Sequence, residues 1–176
     1  FPYGYGFGVD ENEEIDLTET KQIIEKLKEK GIEFINITIG NPYLIPHINR
    51  PYSAKSPEDG RIGMKRVYDV TKEITSSFPN IKFAVSALSY EGENSVNYAE
   101  ELVSSGIGDF AGFGRMTFAY PDFYKAYLEN GSLDKNKVCI KCSKCSELMR
   151  AGTVSGCVIR DSEVYMPYYS KFVLKK

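Results

Sequence analysis

All four cysteines of this 176-residue chain fall in one window, KVCIKCSKCSELMRAGTVSGCV, as Cys139, Cys142, Cys145 and Cys157. The spacing is C-x2-C-x2-C-x11-C. Three thiolates so close in sequence can wrap one face of a compact metal centre, and a fourth returning from further along can close it, as iron-sulfur cubanes require. Zinc also takes four thiolates, but its ribbons pair two separated C-x2-C knuckles, whereas here three ligands are consecutive and one stands apart. The spacing favours iron and sulfur, leaving zinc second and disulfides or unliganded thiols third. It is not the bacterial ferredoxin run, because the fourth cysteine comes late and is followed by Val158 rather than proline.

A second chemical candidate is GFGR, Gly112 to Arg115, placed by the sequence pattern at the end of a strand and just before a helix. In α/β folds ligands sit at the carboxyl ends of strands, and in TIM barrels a phosphate is often held by the last two strand loops. Gly114 would let backbone approach an anion, and Arg115 would add a bidentate charged contact. The preceding strand ends in Ser86, Ala87, Leu88 and Ser89, which could offer N–H groups and hydroxyls to the same anion. Taken alone, a glycine pair here is more often a tight turn and an arginine more often a surface ion pair. The sole histidine, His47, lies with Tyr43, Asn49 and Arg50 in a proline-rich loop on the expected ligand face. Tyr43, His47 and Arg50 are candidate substrate contacts, although a solvated loop histidine is the simpler reading of His47. Tyr3 and Tyr5 either line the same side or belong to a packed turn.

The elements that must position these groups follow from periodicity. DLTETKQIIEKLKEKG reads as a helix with a capping box from Asp16 and Glu19 and a stop at Gly31. Its Glu and Lys residues read as a solvated face. Ile32 to Ile39 reads as a buried strand, followed by a long loop with Pro42, Pro46, Pro51 and Pro57. A second helix carries Met64, Val67, Tyr68, Thr71, Ile74 and Phe78 on one side and ends at Pro79. Strand, helix, strand and helix then occupy Ile81 to Ser86, Ser95 to Ser105, Ile107 to Gly114 and Pro121 to Asn130. Helices between successive strands imply right-handed crossovers and a parallel sheet, so the fold class is α/β. Three strands leave faces and edges uncovered, which predicts missing neighbours.

With 22 basic and 24 acidic residues the formal charge is -2, which offers nucleic acid or an anionic membrane no whole-chain attraction. The 42% hydrophobic content suits one packed core, and no apolar run reaches the ~18 residues of a membrane span. The expectation is therefore a cytoplasmic protein binding neither nucleic acid nor membrane. The opening FPYGYGFG lacks a signal peptide and begins without methionine, which reads as a cut or incomplete chain.

In their order, GFGR with the following FAYPDF, the strand-end SALS, the LxxxG helix ends and CIKCSKC with its later GCV resemble the NADH:flavin oxidoreductases of the old yellow enzyme family. Within that family the resemblance is to the iron-sulfur branch with 2,4-dienoyl-CoA reductase and trimethylamine dehydrogenase. It implies that residues 1–134 are the C-terminal half of an FMN-binding TIM (β/α)8 barrel and that residues 135–176 are an iron-sulfur tail. It places Ser86, Ala87, Gly114 and Arg115 on the FMN phosphate, with Cys139, Cys142, Cys145 and Cys157 as ligands of a 4Fe-4S cluster. Relatives commonly have glycine where this chain has Ala87, which keeps the amide but loses freedom at positive φ. The implied reaction uses NAD(P)H to reduce the C=C bond of an α,β-unsaturated carbonyl. Its catalytic residues belong to the N-terminal barrel half, which is then a required partner, and this chain alone is expected to be inactive. The short stretch after Cys157 holds no second nucleotide domain, so the cluster serves another partner, is structural, or belongs to a longer chain. Self-association stays open. The competing class is a small α/β module whose structural four-cysteine zinc site serves partner binding, although the cysteines lack the basic, aromatic platform of a nucleic-acid reader.

Overall fold

A computed structural model describes residues 8, 10–12, 14–40, 45–49 and 56–175. The first helix, α1, spans Thr18–Glu29. It has no capping box. Asp16 instead holds the first turn from one residue further out, its carboxylate accepting from the Thr18 amide (2.9 Å) and hydroxyl (2.6 Å). Gly31 stops the helix as expected: at φ +82° it lets the Ile32 amide fold back onto the Leu27 carbonyl, a reversal an L residue resists.

Strand β1 (Phe34–Asn36) is followed by a short helix α2 (Pro46–Asn49), inside the segment expected to be a loop. Helix α3 (Gly60–Ser77) opens on Asp59, whose carboxylate accepts from the Arg61 amide at 2.8 Å. Strand β2 (Lys82–Val85), a 3-10 segment over Leu88–Asn94, helix α4 (Ser95–Ser104) and strand β3 (Phe110–Ala111) complete the alternating part. Helices α5 (Arg115–Ala119) and α6 (Phe123–Asn130) follow β3, and α6 closes at Gly131, φ +69°.

The three strands are parallel and lie in chain order β1-β2-β3, with Asn36 opposite Ala84 and Ala84 opposite Phe110. Side chains alternate strictly across this sheet. Ile35, Ile37 and Phe83 meet Ile24 of α1 and Val70 and Ile74 of α3 on one face, where Val85 also meets Ala99 and Leu102 of α4. All three helices therefore cover the same face. Among the described residues no helix covers the other face: Phe34 and Phe110 are 54% and 52% exposed and meet edge to face at 5.5 Å. The expectation that 32–39 is a buried strand is thus corrected: the strand is Phe34–Asn36, and among the described residues helices cover one of its faces.

Strand β3 is also shorter than expected. The Asp109 carboxylate accepts from the Phe83 amide (2.9 Å) and from Lys82 Nζ (2.7 Å), so a side chain takes a place the ladder would otherwise fill. The Lys82 contact, opposed by partial burial, holds that carboxyl below its usual range. Gly108, at φ +89°, approaches β2 so closely that a Cβ would lie 3.2 Å from the Val85 nitrogen.

The cysteine segment is joined to this body rather than hung from it. Val138, just before Cys139, is buried with Val96, Met116, Tyr120 and Phe123. Beyond it, α7 (Lys144–Arg150), α8 (Ser162–Tyr169) and a π-turn (Ser170–Leu174) enclose a small core of Leu148, Val158 and Tyr169. The chain is therefore α/β, with a three-stranded parallel sheet and a helical tail. No helix among the described residues is long and apolar enough to cross a membrane.

Candidate functional site

The C-terminal ends of β1, β2 and β3 open into a cleft of about 700 Å3 on the uncovered face of the sheet. Parallel strands end with their backbone groups and loop residues pointing the same way, so side chains distant in sequence converge there. Asn36 and Thr38 come from the β1 side, Ser86, Ala87 and Ser89 from the β2 side, and Gly114 and Arg115 from the loop into α5. Phe34 and Phe110 form its apolar floor. All four residues expected to hold a phosphate are thus brought into one wall.

Their local conformations follow from sequence. The Ser86 hydroxyl donates to Asn36 Oδ1 at 2.7 Å, tying β2 to β1 at the cleft. Ala87 turns the chain in the left-handed region, φ +72°, ψ -2°, the conformation that glycine would accept without a Cβ clash. Buried Ser89 accepts from the Met116 amide at 3.0 Å and so fixes the start of α5, beside Arg115. The glycine that space requires is Gly112: a Cβ there would stand 3.0 Å from Ser86 Oγ, whereas one on Gly114 would meet nothing within 4 Å. Gly114 has φ -96°, so its role is to leave the wall open rather than to supply a forbidden turn.

The four cysteines are unpaired thiols, each half-buried. Lys141 and Ser143, on either side of Cys142, both sit at φ +62°, left-handed turns between the first three cysteines. The Lys141 amide donates to Cys139 Sγ (3.4 Å) and the Arg160 amide to Cys157 Sγ (3.3 Å). Arg160 also sends Nε and Nη2 to the Val138 carbonyl, at 3.2 and 3.0 Å, and Ser155 Oγ donates to the Cys145 carbonyl at 2.7 Å. Burial pushes the Cys139 and Cys145 thiols up, and the Arg115 guanidinium pulls both back. Cys139 in turn lies within electrostatic reach of Cys142, Cys145 and Cys157.

Cations brace the segment from outside. Lys141 Nζ lies 5.0 Å from the Tyr90 ring centre and Lys144 Nζ 5.1 Å from that of Tyr169. The Tyr169 hydroxyl donates to Glu147, and its pKa is pushed up to about 12, by burial first and then by that carboxylate. Glu91 is raised by burial, against the opposing pull of Lys141 and Arg61.

As a donor set, four thiols with two sulfurs already accepting backbone N–H bonds suit thiolate coordination. Among the described residues, however, no three His, Cys, Asp or Glu side chains are grouped so as to hold a single metal ion.

Of the substrate candidates, only His47 falls among the described residues. His47, half-buried in α2, is outside the described wall of the cleft and lies near Glu58, whose carboxyl is held below its usual range chiefly by Arg66. Tyr43 and Arg50 lie outside the described residues, as do Tyr3 and Tyr5. Sequence reasoning missed Asn36, Thr38 and Arg160. The first two were signalled by the alternation FINITI, whose polar positions share a face with Phe34. Arg160 acts across a long sequence separation and left no local signal. No family model, curated protein or solved structure matches this chain.

Proposed function

We propose that this chain is the C-terminal half of an FMN-binding barrel with an iron-sulfur tail, from an NAD(P)H-dependent oxidoreductase of the old yellow enzyme type. Its substrate class is the α,β-unsaturated carbonyl. The observation that carries the reading is adjacency: Arg115 stands in the wall of the strand-end cleft and within electrostatic reach of Cys139 and Cys145. One cation thus stands between the strand-end wall and the thiol-rich segment, an arrangement that suits a phosphate-bearing cofactor beside a metal cluster.

Two features of the fold support it. Sequential parallel strands with all crossover helices on one face are what a barrel wall needs, whereas a doubly wound sheet puts helices on both. The exposed aromatic floor then becomes the inside of the barrel, covered once the other half is present. In this reading the backbone of Ser86 and Ala87, with Gly114 and the Arg115 guanidinium, holds the phosphate, while the Ser86 hydroxyl stays on Asn36. Gly112 and Gly114 keep the wall clear, and Cys139, Cys142, Cys145 and Cys157 ligate a 4Fe-4S cluster. Bound FMN would supply hydride transfer from NAD(P)H to the conjugated alkene, and the cluster single electrons.

Anaerobic purification of the full-length gene product, with a visible spectrum and iron, sulfide, zinc and flavin analysis, tests the reading. About four irons with bound FMN are expected. Zinc without flavin would replace the proposal with the partner-binding module.

A further inference from the structure

The cysteine segment is closed by one side chain that is not itself a ligand candidate. Cys139 and Cys157 belong to stretches of chain separated by α7, and what joins them is Arg160. Its guanidinium places two donors, Nε and Nη2, on the Val138 carbonyl, one residue before Cys139. Its own amide donates to Cys157 Sγ. The same residue therefore fixes the backbone that presents the first sulfur and shares a hydrogen bond with the last.

The surroundings make this a specific tie. Val138 is packed into the core of the main body and Val158 into that of the tail, 6% and 1% exposed. Arg160 spans the junction of those two cores. Further along, Ser155 is anchored to the Cys145 carbonyl, and Gly156 passes so close beneath Tyr165 that any side chain there would overlap the ring. The Asp161 amide returns to the Cys157 carbonyl at 2.9 Å, starting the turn into α8. The fourth cysteine is thus held from both sides, and Arg160 carries that hold across to the first. Arginine suits the task because its planar fork can bring two N–H groups to one acceptor, whereas lysine brings a single mobile ammonium.

The geometry points to Arg160 as a positioning residue that ties the Cys157 turn to the backbone just before Cys139, so that the two ends of the cysteine segment are held together before any metal arrives. This deepens the iron-sulfur reading and rests on it for the identity of the metal, but the clamp belongs to the protein alone. Groups that hold a metal ligand from behind orient it, and their loss costs about 10–100-fold in metal affinity.

The test uses the full-length protein in wild-type, Arg160→Met and Arg160→Lys forms. Iron loss to a chelator, monitored by visible absorption, should be about tenfold or more faster in Arg160→Met. Arg160→Lys should recover part of the difference. On metal-free, reduced protein the thiols should react several-fold faster with an aromatic disulfide reagent in Arg160→Met, because the Cys157 turn is no longer tied to the Val138 carbonyl. A structural variant, Val158→Ala, controls for packing: it should lower the unfolding temperature without matching the gain in thiol reactivity. Equal thiol reactivity in wild type and Arg160→Met, or the same gain in Val158→Ala, overturns the inference. If Arg160→Met fails to fold, Arg160→Lys decides by the same thiol comparison, and wild-type reactivity overturns the clamp. A wild-type protein that holds zinc or no metal refutes the iron-sulfur reading while leaving the thiol measurement to judge the clamp.

Discussion

Replacing Ala87 with glycine should stabilise the protein, an unusual outcome for removing a methyl group beside a core strand. Ala87 holds φ +72°, where the Cβ of an L residue crowds the backbone at a cost of about 1–2 kcal/mol. Glycine removes that cost but restores freedom to the unfolded chain, which costs about 0.5–1 kcal/mol. The net expectation is a gain of about 0.5–1 kcal/mol. For a chain of this length that raises the unfolding temperature by roughly 1–4 °C. Thermal and urea unfolding of wild type, Ala87→Gly and Ala87→Val would measure it, with valine expected to destabilise because a β-branched side chain tolerates this region worse than alanine. If glycine lowered the midpoint and valine left it unchanged, the left-handed turn at the cleft would be wrong. The same series bears on function. Titration with inorganic phosphate should stabilise Ala87→Gly at least as much as wild type, since the backbone amide at position 87 remains and its approach is less obstructed.

Gly112→Ala should disturb the cleft more than Gly114→Ala. Its Cβ would stand 3.0 Å from Ser86 Oγ, against open space at Gly114, so a loss of about 1–3 kcal/mol is expected at the first position and little at the second in the same unfolding assay. Glu58 and Arg66 form a bidentate pair at 2.9 and 2.7 Å with side chains 20% and 12% exposed, and Arg66→Met should cost about 2 kcal/mol at neutral pH. Because Glu58 is held below its ordinary value of 4.5, the pair's contribution is present above that pH and is lost as pH falls through the depressed folded value. Unfolding followed from about pH 7 down to about pH 3 should therefore show an acid loss of stability that is smaller in Arg66→Met. Gly156→Ala should destabilise the tail by forcing the Tyr165 ring aside, and the double variant with Tyr165→Leu should recover part of that loss; additive effects would argue against the contact.

How far the sequence reached can be judged residue by residue. Patterns with a local physical cause were legible: the apolar stripe Met64, Val67, Thr71 and Ile74 buries one face of α3, and Gly31 stops α1 at positive φ. The alternation of helix and strand set the class as α/β, because parallel neighbours need crossovers. The cysteine window and the strand-end position of GFGR were likewise evident, as was the convergence of Ser86, Ala87, Gly114 and Arg115 on one wall. Strand length was not. Asp109 satisfies the Phe83 amide with a side chain, and no local pattern announces that a carboxylate will stand in for a ladder partner.

Tertiary structure alone decided which face of the sheet stays open, because that depends on three helices packing together against Phe83 and Val85. It set Ala87 in the left-handed region, φ +72°, between β2 and the 3-10 segment, a conformation an L residue adopts only at a cost. It also decided that Arg160, distant in sequence from Val138, would join the two ends of the cysteine segment. Local propensity carries information over a few residues, whereas these contacts arise only when separate elements share a core. The sequence by itself determined which residues can do chemistry and the rhythm that carries them; packing determined which of them face one another.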